Sequence, residues 1–143
     1  MASENLQKLT LEILRLCNPA QQLIPREVLQ NCEVNGINLK KGDWLTIPIG
    51  ANWANQRVYG KDFAEFNIDR HSLKSNQFGL EFMPFSYGKR NCVGRVMGEI
   101  MLKLVMGELV RRCEIRNPEG YKRMFTTRGI LTVTECVLHM RLR

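Results

Sequence analysis

Residues 60–91 carry little hydrophobic periodicity, yet they run straight into the most regular helical pattern of the chain, with a cysteine at the junction. Val93, Val96, Met97, Ile100, Met101, Leu104 and Val105 follow an i, i+3, i+4, i+7 spacing, which predicts a helix with one core-packing apolar face. Arg95, Glu99 and Lys103 fall on the opposite face, and Glu99 precedes Lys103 by one helical turn, a favourable order for an ion pair. A long unpatterned stretch inside a compact domain is uncommon and often functional. Cys92 is delivered by that stretch to the start of a helix, where its sulfur would face unpaired backbone N–H groups and the positive end of the dipole.

With 143 residues the chain suits one domain, taken as spanning 1–143. No run of about 18 apolar residues exists to span a bilayer, and Met1-Ala2-Ser3-Glu4-Asn5 has neither the basic nor the apolar region of a secretory signal. The net charge of +7, from 21 Lys+Arg against 14 Asp+Glu, favours an acidic partner or surface. The basic residues are dispersed and not interleaved with aromatics, so no nucleic-acid partner is expected. Five widely spaced cysteines argue against a disulfide framework and point to a reducing compartment. Without C-x-x-C or C-x-x-H pairs a zinc site is not expected either, and most of these thiols are read as small core residues.

Elsewhere the pattern is mixed. Leu6, Leu9, Ile13 and Leu16 suit an amphipathic helix that Asn18-Pro19 ends. Residues 33–39 and 42–47 look like short strands around Asn35-Gly36 and Lys41-Gly42 turns, forming a small antiparallel sheet. Residues 130–133 and 137–140 resume strand character after Asn117-Pro118.

The junction itself reads Phe85-Ser86-Tyr87-Gly88-Lys89-Arg90-Asn91-Cys92-Val93-Gly94. This is F-x-x-G-x-R-x-C-x-G, whose five fixed residues would arise by chance in fewer than about one chain in 10⁴ of this length. It resembles the haem-binding loop of cytochromes P450. The resemblance implies haem b, with Cys92 as the axial metal ligand and Arg90 as the partner of a haem propionate. Phe85 would then cover the sulfur, Gly88 permit the turn, and Gly94 let the porphyrin approach the helix start.

Two further segments are similar to the same family. Glu12-Ile13-Leu14-Arg15 resembles the E-x-x-R of its K helix, and Arg70 in the irregular segment would complete a buried Glu12–Arg15–Arg70 cluster of structural role. Arg26 is either similar to the family's basic propionate partner on the strand entering the pocket or an exposed loop arginine, and residues 20–25 and the turn around 130–134 resemble substrate-contacting stretches. The chain departs from the family at Ile68, at His71 where an aromatic is usual, at Trp53-Ala54-Asn55-Gln56, and at Gly98 where alanine is usual.

The fold class implied is α+β: a partial P450 fold with K-type and L-type helices, small antiparallel sheets and a long meander before the cysteine loop. The function implied is a haem-thiolate monooxygenase that inserts one oxygen atom from O₂ into a small apolar substrate. Its electrons would come from an acidic reductase docking near Lys89 and Arg95, and an endoplasmic reticulum membrane surface is the implied location. The distal motif of the family, [AG]-G-x-[DE]-T, does not occur in the chain. A portion of this kind is expected to be inactive by itself, with no catalytic residue of its own assigned. The alternative is a P450 remnant or interaction module without stable haem.

Overall fold

The computed structural model describes residues 2–71, 79–120, 124–127 and 131–143. Helix α1 runs Ala2–Leu16, with Glu4 in its first turn and Arg15 in its last, both complementing the helix dipole. It ends where Asn18-Pro19 predicts, and Asn18 is buried, its Oδ1 accepting from the Ala20 N–H at 3.0 Å. The expected apolar face is only half-buried at Leu6, Leu9, Ile13 and Leu16. The buried positions are Thr10, Glu12, Leu14 and Arg15, because Glu12 and Arg15 neutralise each other and hold meander backbone against the helix.

Strands β2 (Cys32–Val34) and β3 (Ile37–Leu39) form the expected hairpin, in register Cys32↔Leu39 and Val34↔Ile37. Its two-residue turn puts Asn35 at φ 50° and Gly36 at φ 80°, the pair of positive values a tight primed turn requires. The second predicted strand is shorter: β4 is Trp44–Leu45 alone, paired antiparallel with β1 (Arg26–Glu27). Two separate two-stranded ladders therefore replace the single sheet expected.

The chain then passes through 3₁₀ turns at Ile49–Ala54, Ile68–Arg70, Gly79–Glu81 and Gly88–Arg90, with one short helix, α2 (Gln56–Tyr59), capped by the Asn55 side chain. Helix α3 spans Arg95–Arg112, and β5 (Cys113–Arg116) follows without a loop. Strand β5 pairs with β8 (His139–Leu142), while β6 (Met124–Thr127) pairs with β7 (Leu131–Glu135). The two tail segments thus pair with earlier strands that the sequence pattern did not single out.

Helix α3 corrects the expectation of a core-packing stripe. Val96, Met97, Ile100, Met101, Leu104 and Val105 are all at least half exposed, and Val93 is fully so. Helix α3 does meet neighbours at two glycines: Phe85 sits beside Gly98, and Leu6 of α1 beside Gly107. The ion pair also differs, joining Glu99 to Arg95 at 2.9 Å and not to Lys103. Apart from Cys113, the cysteines are exposed and not core residues.

Candidate functional site

Glu12, fully buried, is the hub of the first constellation. It accepts from Arg15 Nε and Nη2, both at 2.8 Å, from the Asn67 N–H at 3.0 Å, and lies 2.8 Å from His71 Nε2. Burial alone would push its carboxyl up, but the bonds from Arg15, Asn67 and His71 hold it below the ordinary carboxylate value. Arg15 carries on into the meander, donating to the Phe63 carbonyl at 2.7 Å and the Glu65 carbonyl at 3.2 Å. Its guanidinium also lies 5.0 Å from the centroid of the Tyr59 ring, whose hydroxyl burial pushes up to about 12.

Arg70 stands at the edge of this cluster. Its Nε is 3.7 Å from Glu12 Oε1, whereas its Nη2 reaches Asp62 Oδ2 at 2.8 Å and the Asp62 carbonyl at 2.9 Å, and its Nη1 donates to the Tyr59 carbonyl. Asp62 is thus its closest charged partner, and the Arg70 bonds hold the Asp62 carboxyl below the usual range.

The second constellation is a cavity of about 550 Å³. One wall is the cysteine loop, with Phe85, Arg90, Asn91, Cys92 and Val93. The end of α1 and the segments around β1 and β4 also line it, with Leu23, Ile24, Arg26 and Ile47. A pocket of this size with mostly apolar lining and a few polar groups is what a small-molecule or cofactor site requires. Of the predicted residues, Cys92, Arg90, Phe85 and Arg26 line it, as do Ala20, Gln22, Leu23 and Ile24 from the 20–25 stretch.

The loop is held by its own backbone. The Cys92 N–H donates to the Phe85 carbonyl at 2.8 Å, and the Asn91 N–H to the Gly88 carbonyl at 3.1 Å. Gly88 adopts φ +74°, the left-handed region that favours glycine, and Ser86 also sits at φ 66°. Cys92 is not directly abutted by the helix: a turn follows it, Gly94 is the N-cap, and Arg95 opens α3 with its N–H 3.3 Å from the Cys92 carbonyl. Gly94 lies beside the sulfur, since a Cβ built there would meet Cys92 Sγ at 3.8 Å.

The model of the cytochrome P450 family matches residues 4–138. The chain belongs to the cytochrome P450 family. It is 31% identical over 118 residues to a cytokinin hydroxylase of Arabidopsis thaliana, covering 82% of this chain and 23% of that protein. It is 30% identical over 106 residues to aromatase of Taeniopygia guttata, covering 71% of this chain and 19% of that one. The chain therefore spans about a quarter or less of these P450 relatives. The crystal structure of the cytochrome P450DA haem domain superposes with a TM-score of 0.84 at 20% identity, over 96% of this chain and 31% of that one. Another cytochrome P450 crystal structure gives 0.80 at 25% identity, over 95% and 32%. The fold is the expected α+β partial P450 fold.

Within this P450 framework, His71 and Asp62 are the cluster members that the sequence pattern did not assign. His71 was visible only as a departure from the family. Asp62 had no signal at all, because a carboxylate eight residues before an arginine in irregular chain has no fixed spacing to read.

Proposed function

We propose that this chain forms the proximal, thiolate-bearing side of a haem-thiolate monooxygenase, with Cys92 as the iron ligand. The observation that carries the reading is that Cys92, Arg90, Phe85 and Arg26 converge on one largely apolar cavity. The lining suits haem b: a sulfur donor on one wall, two guanidinium groups for its anionic propionates, and apolar side chains for its macrocycle. When bound, haem ligated by thiolate supplies the activation of O₂.

The protein's own part is positional. The Cys92 N–H bond to the Phe85 carbonyl fixes the loop that presents the sulfur, and Phe85, wedged beside Gly98, would limit water at that sulfur once the group is bound. Arg90 and Arg26 orient the group by its propionates. Gly88 supplies the turn, and Gly94 lets a flat ligand approach the helix start. A small apolar substrate would lie against the Leu23–Ile24 wall. An acidic reductase would dock near Lys89 and Arg95, the latter's charge being already shared with Glu99. No helix among the described residues is long and apolar enough to cross a membrane. Attachment to the endoplasmic reticulum surface is proposed by family likeness alone.

A second reading, a P450-derived interaction module without stable haem, is favoured by the exposed apolar face of α3, which needs a cover. The two readings separate in one experiment. Haem is added to the chain and the sample is reduced and treated with CO. Thiolate ligation gives a red-shifted Soret band that Cys92→Ser abolishes while leaving the fold intact by circular dichroism. Absence of any red-shifted band in the parent chain rejects the first reading for this polypeptide on its own.

A further inference from the structure

The buried cluster contains one imidazole. His71 is 3% exposed, and its Nε2 lies 2.8 Å from Glu12 Oε2. Glu12 is held ionised, and a carboxylate can only accept, so the proton of the neutral imidazole belongs on Nε2. The ring also packs on Phe82, centroids 5.6 Å apart and tilted by 52°. Phe82 leads directly into the cysteine loop. Two residues on, the Pro84 carbonyl accepts from Asn18 at 3.4 Å, and then the Phe85 carbonyl accepts the Cys92 N–H at 2.8 Å. His71 therefore touches both the carboxylate on α1 and the segment that carries the loop.

We propose that His71 is a proton-sensitive positioning residue: as neutral imidazole it braces segment 79–92 against α1, and protonation in mild acid releases that brace. The proposal rests on the haem reading only for what the braced loop is used for.

The charges around the ring give the direction. Glu12 and Arg15 face it from α1, Arg70 stands in its own turn, and segment 79–84 presents the uncharged ring of Phe82. Glu12 is already matched by Arg15, and Arg70 by Asp62. A proton on His71 would thus add a third positive charge, beside Arg15 and Arg70, against the two carboxylates Glu12 and Asp62 in a water-poor site. Burial pushes the imidazole below its ordinary value of 6.5, and Arg15 and Arg70 push the same way against the opposing pull of Glu12. A histidine lowered on folding contributes stability that is complete above about 6.5 and is lost as pH falls toward the folded value. By pH 5.5 this raises the ratio of opened to closed chain by up to about tenfold.

The test compares the full chain with His71→Gln, whose side-chain amide can still donate to Glu12 but does not titrate. Backbone hydrogen exchange is measured at pH 7.5 and 5.5, corrected for intrinsic exchange. Protection across 79–92 should fall by up to about tenfold in the parent on acidification and stay level in His71→Gln. In parallel, proton NMR follows the ring of His71, one of only 2 histidines, whose midpoint should lie below the ordinary histidine value. The same pH response in both chains, or a His71 midpoint at or above the ordinary value, overturns the proposal. If His71→Gln does not fold, the titration of the parent decides alone. Both measurements are made without haem, so failure of the haem reading and failure of this one are separately visible.

Discussion

Removing the Glu12 carboxylate should be among the most damaging single changes the chain can suffer. Its two oxygens receive two bonds from Arg15, one from the Asn67 N–H and one from His71, all between 2.8 and 3.0 Å and all at a residue with no exposed surface. Glu12→Ala takes from the Arg15 guanidinium, 4% exposed, both of its bonds to the carboxylate. Breaking a buried pair by deleting one partner typically costs about 3–5 kcal/mol. Glu12→Gln keeps the volume and one accepting oxygen but turns an amide N–H₂ toward donors, so its cost should sit near the lower end, about 3 kcal/mol. Urea unfolding with matched slopes measures both. Adding Arg15→Met to Glu12→Ala should recover at least about 1 kcal/mol, because an apolar replacement of both partners leaves no uncompensated charge. The pH dependence has a fixed sign. The folded carboxyl lies below its ordinary 4.5, so its stabilisation is complete above that value and is lost as pH falls through the folded value. The gap between the parent and Glu12→Gln should accordingly narrow below pH 4.5. A cost for Glu12→Ala below about 1 kcal/mol would refute the view that this cluster anchors the meander.

Two glycines should respond in opposite ways. In Gly98→Ala the new methyl meets Phe85 Cε1 at 3.5 Å, ordinary contact within α3, so thermal unfolding should show a gain of about 0.5–1 kcal/mol. A loss would mean that the helix and the loop are packed more tightly than this spacing allows. In Gly50→Ala the methyl would come within 2.9 Å of the Gln21 Cα, across a backbone bond of 2.8 Å from the Gly50 N–H to the Gln21 carbonyl. Something must move, and urea denaturation should register a loss of about 1–3 kcal/mol, with an unchanged midpoint counting against the close approach.

What was legible in the chain was what depends on neighbours in sequence. The hairpin at 32–39 follows from Asn35-Gly36, because the positive φ values of its turn are a local property of those two residues. The helix ends at Asn18-Pro19 for an equally local steric reason. The cysteine loop was readable because cysteine, arginine, glycine and phenylalanine keep a fixed spacing along one short stretch. The tertiary structure decided everything that joins distant segments. It paired β5 with β8 and β1 with β4, and it brought Arg26 and Arg90 to the lining of one cavity. It gave Arg70 to Asp62 as its nearest charge and His71 to Glu12. It also left the apolar face of α3 exposed, since periodicity records which side chains share a face and cannot say what covers it. Backbone and turn preferences act over a few residues, whereas burial, charge pairing and strand partners depend on chain that arrives from tens of residues away.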